Sequence, residues 1–336
     1  MMRMNFKKKL PIETPPIRGY QFFAYPLSVI STNKNYLPWL CNHYIQLFCN
    51  PQEVKVHFYE PYNRYTNNPW FDYEVISKSS IKSFNMNPTD LIIKYINRGY
   101  YIVSLVDEYY IPKRRAYKKV HMKHDIFIFG YDISNKNFDI LGYDENVIYN
   151  HTYVPFKCFE KSFLKLDSTS LIAFKLNPNY NCELDIVSIV SQLNDYLNSN
   201  NSSNKLKPYD DTQNFSDHVF GLDTYNQVIH YFELLLNKEV ELDLISLHFM
   251  YEHKKCMLLR LQLLAEKGYI NDINYYLKAY DEIKRKIIIA RNLQLKYKIT
   301  KNNNSLKKII SILKDIYPKE KNIVEDILNQ LQTKSK

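Results

Sequence analysis

The sequence predicts an α+β N-terminal half followed by an all-α C-terminal half, divided at about residues 1–178 and 179–336. Three observations carry this. Between residues 36 and 176 one helical pattern is followed by short apolar runs separated by turn clusters, the order of an α+β domain. From about Asn177 the apolar residues recur with the 3.6-residue helical period over long stretches. The polar segment 198–212, rich in Asn and Ser, interrupts that pattern as a loop would.

The elements follow in order. Residues 11–16 are proline-rich and extended, and the cluster Asn33-Lys34-Asn35 is a turn. Leu37, Leu40, Cys41, Tyr44, Ile45 and Phe48 fall at helical spacing, with Pro38 in the first turn where its missing N–H costs nothing. Asn50-Pro51 ends this helix. Strands are expected at 54–59 and 71–76. Pro88-Thr89-Asp90 opens a helix over 91–97 that Gly99 stops. Residues 100–106 and 124–131 are buried strands, joined by the basic loop 112–119. The turn 132–137 leads to a return strand at 138–143, a short helix at 155–163 and a last strand at 171–176. Five helices are then expected, at 185–198, 224–236, 242–267, 270–297 and 306–331, with Gly268 as a C-cap.

Composition narrows the function classes. The 336 residues carry a net charge of +10, spread along the chain rather than gathered in a nucleic-acid stripe. The plainer reading of that charge is solvated faces; the sharper one is a mild attraction for an acidic partner. Five cysteines at irregular spacing, with no CxxC pair, argue against a disulfide framework and a zinc site. No apolar run is long enough to span a membrane, and the N-terminal segment lacks the apolar core of a signal peptide, so a cytoplasmic location is expected. Neither GxGxxG nor GxxxxGKS occurs. No cofactor, metal, nucleic acid or membrane is expected.

Two features suggest chemistry. With a turn centred near 134–135, His124 at the start of one strand falls opposite Asp144 or Glu145 at the end of the next. A His beside a carboxylate is the base-and-orienter part of a nucleophilic triad. Asp125 competes for the role but, as the strand neighbour of His124, should face the other way. Cys41 is expected within the first turn or so of its helix, where the dipole lowers a thiol pKa and free N–H groups can hold an oxyanion. Asn35 is a candidate oxyanion donor. The pair His248 and Glu252, four apart on a helix, suggests an interhelix or domain contact more than a metal site.

The run His124-Asp125-Ile126-Phe127-Ile128-Phe129-Gly130-Tyr131-Asp132, followed by Ile140-Leu141-Gly142-Tyr143-Asp144, resembles the N-terminal domain of the butirosin biosynthesis protein H family. That family is similar to C39-like, papain-fold cysteine peptidases. The helical half, around Phe220-Gly221-Leu222-Asp223-Thr224-Tyr225 and residues 247–259, resembles relatives found beside peptide and polyketide assembly lines. The resemblance implies a papain-like domain with Cys41 as nucleophile, His124 as base and Asp144 as orienter. It implies transfer of an acyl group from an acyl or peptidyl carrier protein, held as a phosphopantetheine thioester, to an amine. One departure stands out: Cys41 lies between Trp39-Leu40 and Asn42-His43-Tyr44, where peptidase relatives place small residues. The expectation is therefore a cysteine acyltransferase or amide synthase. Its alternatives are a cysteine hydrolase (peptidase or thioesterase), or a papain-fold accessory protein that binds a carrier protein or synthetase with Cys41 buried. The helical half would dock the carrier, complete the cleft or form a homodimer.

Overall fold

The computed structural model describes residues 6–59, 65–202 and 217–334, so most of the expected 198–212 loop lies outside the described residues. The chain forms two compact units, Met1–Lys34 with Tyr62–Asn181 and Asn35–Pro61 with Cys182–Lys336. The second boundary falls close to the expected one. The difference is the segment 35–61, which carries Cys41 and belongs to the helical unit.

In chain order, β1 (Lys7–Lys9) and α1 (Gln21–Ile30) belong to the first unit, and α2 (Leu37–Asn42), β2 (Leu47–Asn50) and β3 (Lys55–Phe58) to the second. The first unit resumes with β4 (Phe71–Ser77), α3 (Lys78–Ser83), α4 (Pro88–Asn97), β5 (Tyr101–Asp107), β6 (Lys123–Asp132), β7 (Asn137–Tyr143), β8 (Tyr149–Pro155), α5 (Phe156–Lys165) and β9 (Ser170–Leu176). The second continues with α6 (Ile186–Asn198), β10 (Val219–Phe220), α7 (Thr224–Leu236), α8 (Ile245–Glu266), α9 (Ile273–Thr300) and α10 (Asn303–Lys334).

The first unit is a seven-stranded antiparallel sheet in the order β4-β9-β5-β6-β7-β8, with β1 also paired to β6. β6 is buried from Ile126 to Asp132 without alternation, the pattern of a strand covered on both faces. α1 supplies Tyr25, stacked on Phe127 at 5.1 Å between centroids, while α5 sets Phe159 edge-on to Phe138 at 5.4 Å. Each such fully buried ring contributes about 1.5–3 kcal/mol of hydrophobic stabilisation. α4 begins as its sequence predicts: Asn87 accepts from the Asp90 N–H as N-cap and Pro88 takes the first position.

The positioning feature of this sheet is a fork. β6 and β7 pair from Asp132↔Asn137 to Phe127↔Leu141, with a bulge between Ile128 and Gly130, and then part. β6 continues against β5 as far as Asp107↔Lys123, whereas β7 continues against β8 as far as Tyr143↔Tyr149. Two buried side chains fill the opening and take over the carbonyls and N–H that β6 no longer serves. The Arg114 guanidinium donates to Leu141 O at 3.1 Å and to Tyr143 O, and the Gln21 side-chain oxygen accepts from the Tyr143 N–H at 2.8 Å. Gly142 sits between them with φ +143, and a Cβ there would lie 2.4 Å from Gln21 Oε1 and 2.6 Å from an Arg114 nitrogen. Only glycine fits the fork.

The second unit corrects the all-α expectation, for it contains the three-stranded antiparallel sheet β10-β2-β3. The helix read over 37–48 ends at Asn42. His43 is extended, Tyr44 has φ +56, and Leu47 to Asn50 then pair with Phe58 to Lys55. The buried Arg260 of α8 explains the break: it donates to Cys41 O at 2.8 Å and His43 O at 2.7 Å, so the chain turns around it. Asn42 fastens the same turn to α6, donating to Glu183 O at 2.7 Å and accepting from the Asp185 N–H at 2.9 Å.

A charged hub lies inside the helices. Glu320 of α10 and Lys254 of α8 are fully buried and 2.6 Å apart. The hydroxyls of Tyr196, Tyr225 and Tyr280, from α6, α7 and α9, also donate to Glu320, at 3.1, 2.6 and 3.2 Å. Lys254 donates to His253 Nδ1 at 3.0 Å, and His253 Nε2 donates to Ile45 O at 2.8 Å. The pair is tolerated because its remaining lone pairs and protons are bonded. Among the described residues no helix is long and apolar enough to cross a membrane.

Candidate functional site

The residues expected to form a triad are distributed over both units. Cys41 and Asn35 belong to the helical unit, His124 and Asp144 to the sheet unit. Cys41 lies about one turn into α2, but that helix has only six residues, of which Cys41 is the fifth, and the side chain is 1% exposed. Burial pushes its thiol up to about 11, against the opposing pull of Arg260. An activated thiol requires the reverse, an electropositive and partly exposed setting. Asn35 is an exposed residue of the turn before α2.

Asp144 is not the partner of His124 either. The expected register is the right one up to Phe127↔Leu141, but the fork carries the end of β7 away. The Asp144 carboxylate organises the β7–β8 turn instead, accepting from Asn146 N at 2.9 Å, Ile148 N at 3.0 Å and Asn150 Nδ2 at 3.0 Å. The Ile148 N–H leads the causes that hold its pKa below the usual carboxylate range. Glu145 is exposed, its backbone N–H bonded to Lys113 O at 2.9 Å.

His124 pairs with its chain neighbour. Its Nδ1 lies 2.8 Å from Asp125 Oδ1 and 3.6 Å from Glu108 Oε1. Strict alternation would set residues 124 and 125 on opposite faces. Beyond Phe127 β6 is no longer paired with β7, and the two side chains meet at the fork. Gln21, first residue of α1, completes the cluster: its amide nitrogen donates to Asp125 Oδ1 at 3.0 Å and lies 3.1 Å from His124 Nδ1. Asp125 Oδ1 is the nearest acceptor for an Nδ1 proton on the half-exposed His124 ring.

Burial lowers the His124 pKa, but the hydrogen bond and charge of Asp125, with the charge of Glu108, outweigh it and leave it raised. Glu108 is raised, chiefly by burial, with His124 and Arg114 opposing. The carboxylates around His124 thus favour its protonated form more than burial disfavours it. Beside it the Tyr25 and Tyr149 hydroxyls and Asp125 Oδ2 are buried with no hydrogen-bond partner among the described residues. Burial first, then among other causes the Asp125 charge, pushes both phenols well above their ordinary value. Three polar atoms with bonding capacity to spare thus adjoin the His–Asp pair.

Among the described residues the side chains within hydrogen-bond or ion-pair reach of His124 are Gln21, Asp125 and Glu108, none of them a thiol or hydroxyl. Gln21, Glu108 and Arg114 were not candidates in the sequence. In the sequence Glu108 stands out only as part of Asp107-Glu108-Tyr109-Tyr110, and nothing marks Gln21 or Arg114. His248 and Glu252 form an i,i+4 pair at 3.2 Å along α8, and no set of three or more His, Cys, Asp or Glu able to hold a metal ion occurs among the described residues. The chain matches no protein-family model and no curated protein. Fold and site together define a two-unit mixed α/β protein, with a His–Asp pair at a sheet fork.

Proposed function

We propose that this protein is a non-catalytic accessory protein on a papain-like scaffold, which binds an acyl or peptidyl carrier protein or the synthetase that bears it. One observation carries the reading: the side chain that opens a helix against His124 is the Gln21 amide, 3.1 Å from Nδ1, which has no nucleophilic atom. The resemblance implies a cysteine at the start of a helix facing that histidine. Gln21 is also built into the fold, holding the Tyr143 N–H and the Asp125 carboxylate, so the site is closed around an amide rather than poised around a thiol. The buried Cys41, with its raised pKa, supports the same reading over the acyltransferase and hydrolase alternatives. A cytoplasmic location goes with it.

Incubation with simple acyl thioesters, with and without a primary amine, followed by intact-protein mass spectrometry tests the proposal. The expected result is no acyl adduct and no amide product. An adduct on any cysteine that disappears in a His124→Ala variant would overturn it in favour of an acyl-enzyme mechanism.

A further inference from the structure

The loop between β5 and β6 carries charge of one sign. Residues 112–123 contain six Lys or Arg and no Asp or Glu. Arg114 is buried in the fork, but Arg115, Lys118, Lys119 and Lys123 are exposed, and Val120 and Met122 among them are 56% and 37% exposed. The carboxylates just before the loop, Asp107 and Glu108, are 4% and 6% exposed and cannot neutralise it from outside. Glu145 borders only its Lys113 end.

The loop is also held in shape. His121 Nδ1 lies 2.6 Å from Asp107 Oδ2, the Met122 N–H donates to Asp107 Oδ1 at 3.2 Å, and Lys118 N donates to Tyr109 O at 3.0 Å. With Arg114 anchored at the fork, the cations are displayed at little further cost in conformational entropy on binding.

We propose that this loop docks a partner protein through an acidic amphipathic helix. The exposed cations meet its carboxylates, and Val120 with Met122 meets its apolar stripe. A nucleic acid is the poorer fit. The loop's tyrosine rings each already carry a neighbour on one face: His121 lies on Tyr109 at 4.2 Å, Lys161 on Tyr110 at 4.6 Å and Lys118 on Tyr117 at 5.3 Å. Aliphatic side chains in the middle of the cations have no role against phosphates. The inference rests on the proposed binding role for the existence of a partner, and adds where that partner sits and what chemistry it has.

The test is fluorescence anisotropy of the full chain with three labelled probes: a helical peptide of Glu with Leu at i, i+3, i+4 and i+7, polyglutamate, and an oligothymidylate. Expected is binding of the helical peptide, tightest at low salt. The affinity falls about tenfold or more in R115E/K118E/K119E/K123E, a loss on the scale of removing several cross-interface charge pairs. V120S/M122S also weakens the peptide but not polyglutamate. Tighter binding of oligothymidylate than of the peptide, or peptide affinity unchanged in the fourfold variant, would overturn the proposal. Both outcomes leave the thioester experiment untouched, so failure of the surface and failure of the accessory role are read separately.

Discussion

His253 makes the helical unit sensitive to mild acid. Its ring is fully buried, and burial first, then the charge of Lys254, pushes its pKa well below the ordinary 6.5. The hydrogen bonds fix a neutral ring: Nε2 donates to Ile45 O, and Nδ1 accepts from Lys254. In the unfolded chain the ring takes up a proton below about pH 6.5 while the folded ring does not. The unfolded state then binds more protons, so stability falls as pH falls, by about 1.4 kcal/mol per unit from this group. Between pH 6.5 and 5 the loss is roughly 2 kcal/mol. His253→Gln keeps a donor for Ile45 O and an acceptor for Lys254 but cannot titrate. Urea unfolding of both proteins across pH 5–7.5, followed by a probe in the helical unit, isolates the residue as the difference between the curves. That difference should be flat above pH 7 and then move in favour of the glutamine variant by the stated slope. Parallel curves down to pH 5 would refute the reasoning.

Three other outcomes are expected. Lys254→Met leaves the Glu320 carboxylate buried with only its tyrosine donors and should cost about 3–5 kcal/mol, whereas Lys254→Met with Glu320→Leu should cost less than the single change, measured by denaturant unfolding. In NMR titrations Asp125→Asn should lower the His124 pKa, because it removes the charge and bond that raise it, while Asp144→Asn should leave it in place. Gly142→Ala should destabilise the sheet unit by about 1–3 kcal/mol, since its Cβ meets Gln21 and Arg114 inside contact distance on a strained backbone. A thermal midpoint equal to that of the parent would contradict the fork.

Much of the chain's element order was legible because the signals were local. Asn87-Pro88 and Gly99 frame α4, and the hairpin turn set the β6–β7 register correctly as far as Phe127↔Leu141. The site was less legible because tertiary contacts decide it. α1 is apolar on nearly every side and contains Pro26, so its sequence does not announce a helix or single out its first residue, Gln21. Arg114 belongs to a run that looks like solvated charge, yet it is 2% exposed and holds the strands apart. That separation is what takes Asp144 from His124. In the helical unit, Arg260, Lys254 and Glu320 look like surface charges of long helices, and all three are buried. Arg260 ends α2 after Asn42, which leaves Cys41 buried in a helix of six residues. Residues 47–50 look helical within the longer apolar pattern, although their burial alternates as a strand's does.

The most direct measurement is brief, sub-stoichiometric alkylation of the native protein at neutral pH with peptide mapping. Cys41, Cys49, Cys182 and Cys256 are buried and Cys158 is only partly so. The account predicts that Cys158 is labelled first and that Cys41 reacts only after denaturant is added, with no change in a His124→Ala variant. Cys41 labelling ahead of the other four, and slowing when His124 is removed, would contradict it and restore Cys41 as the nucleophile.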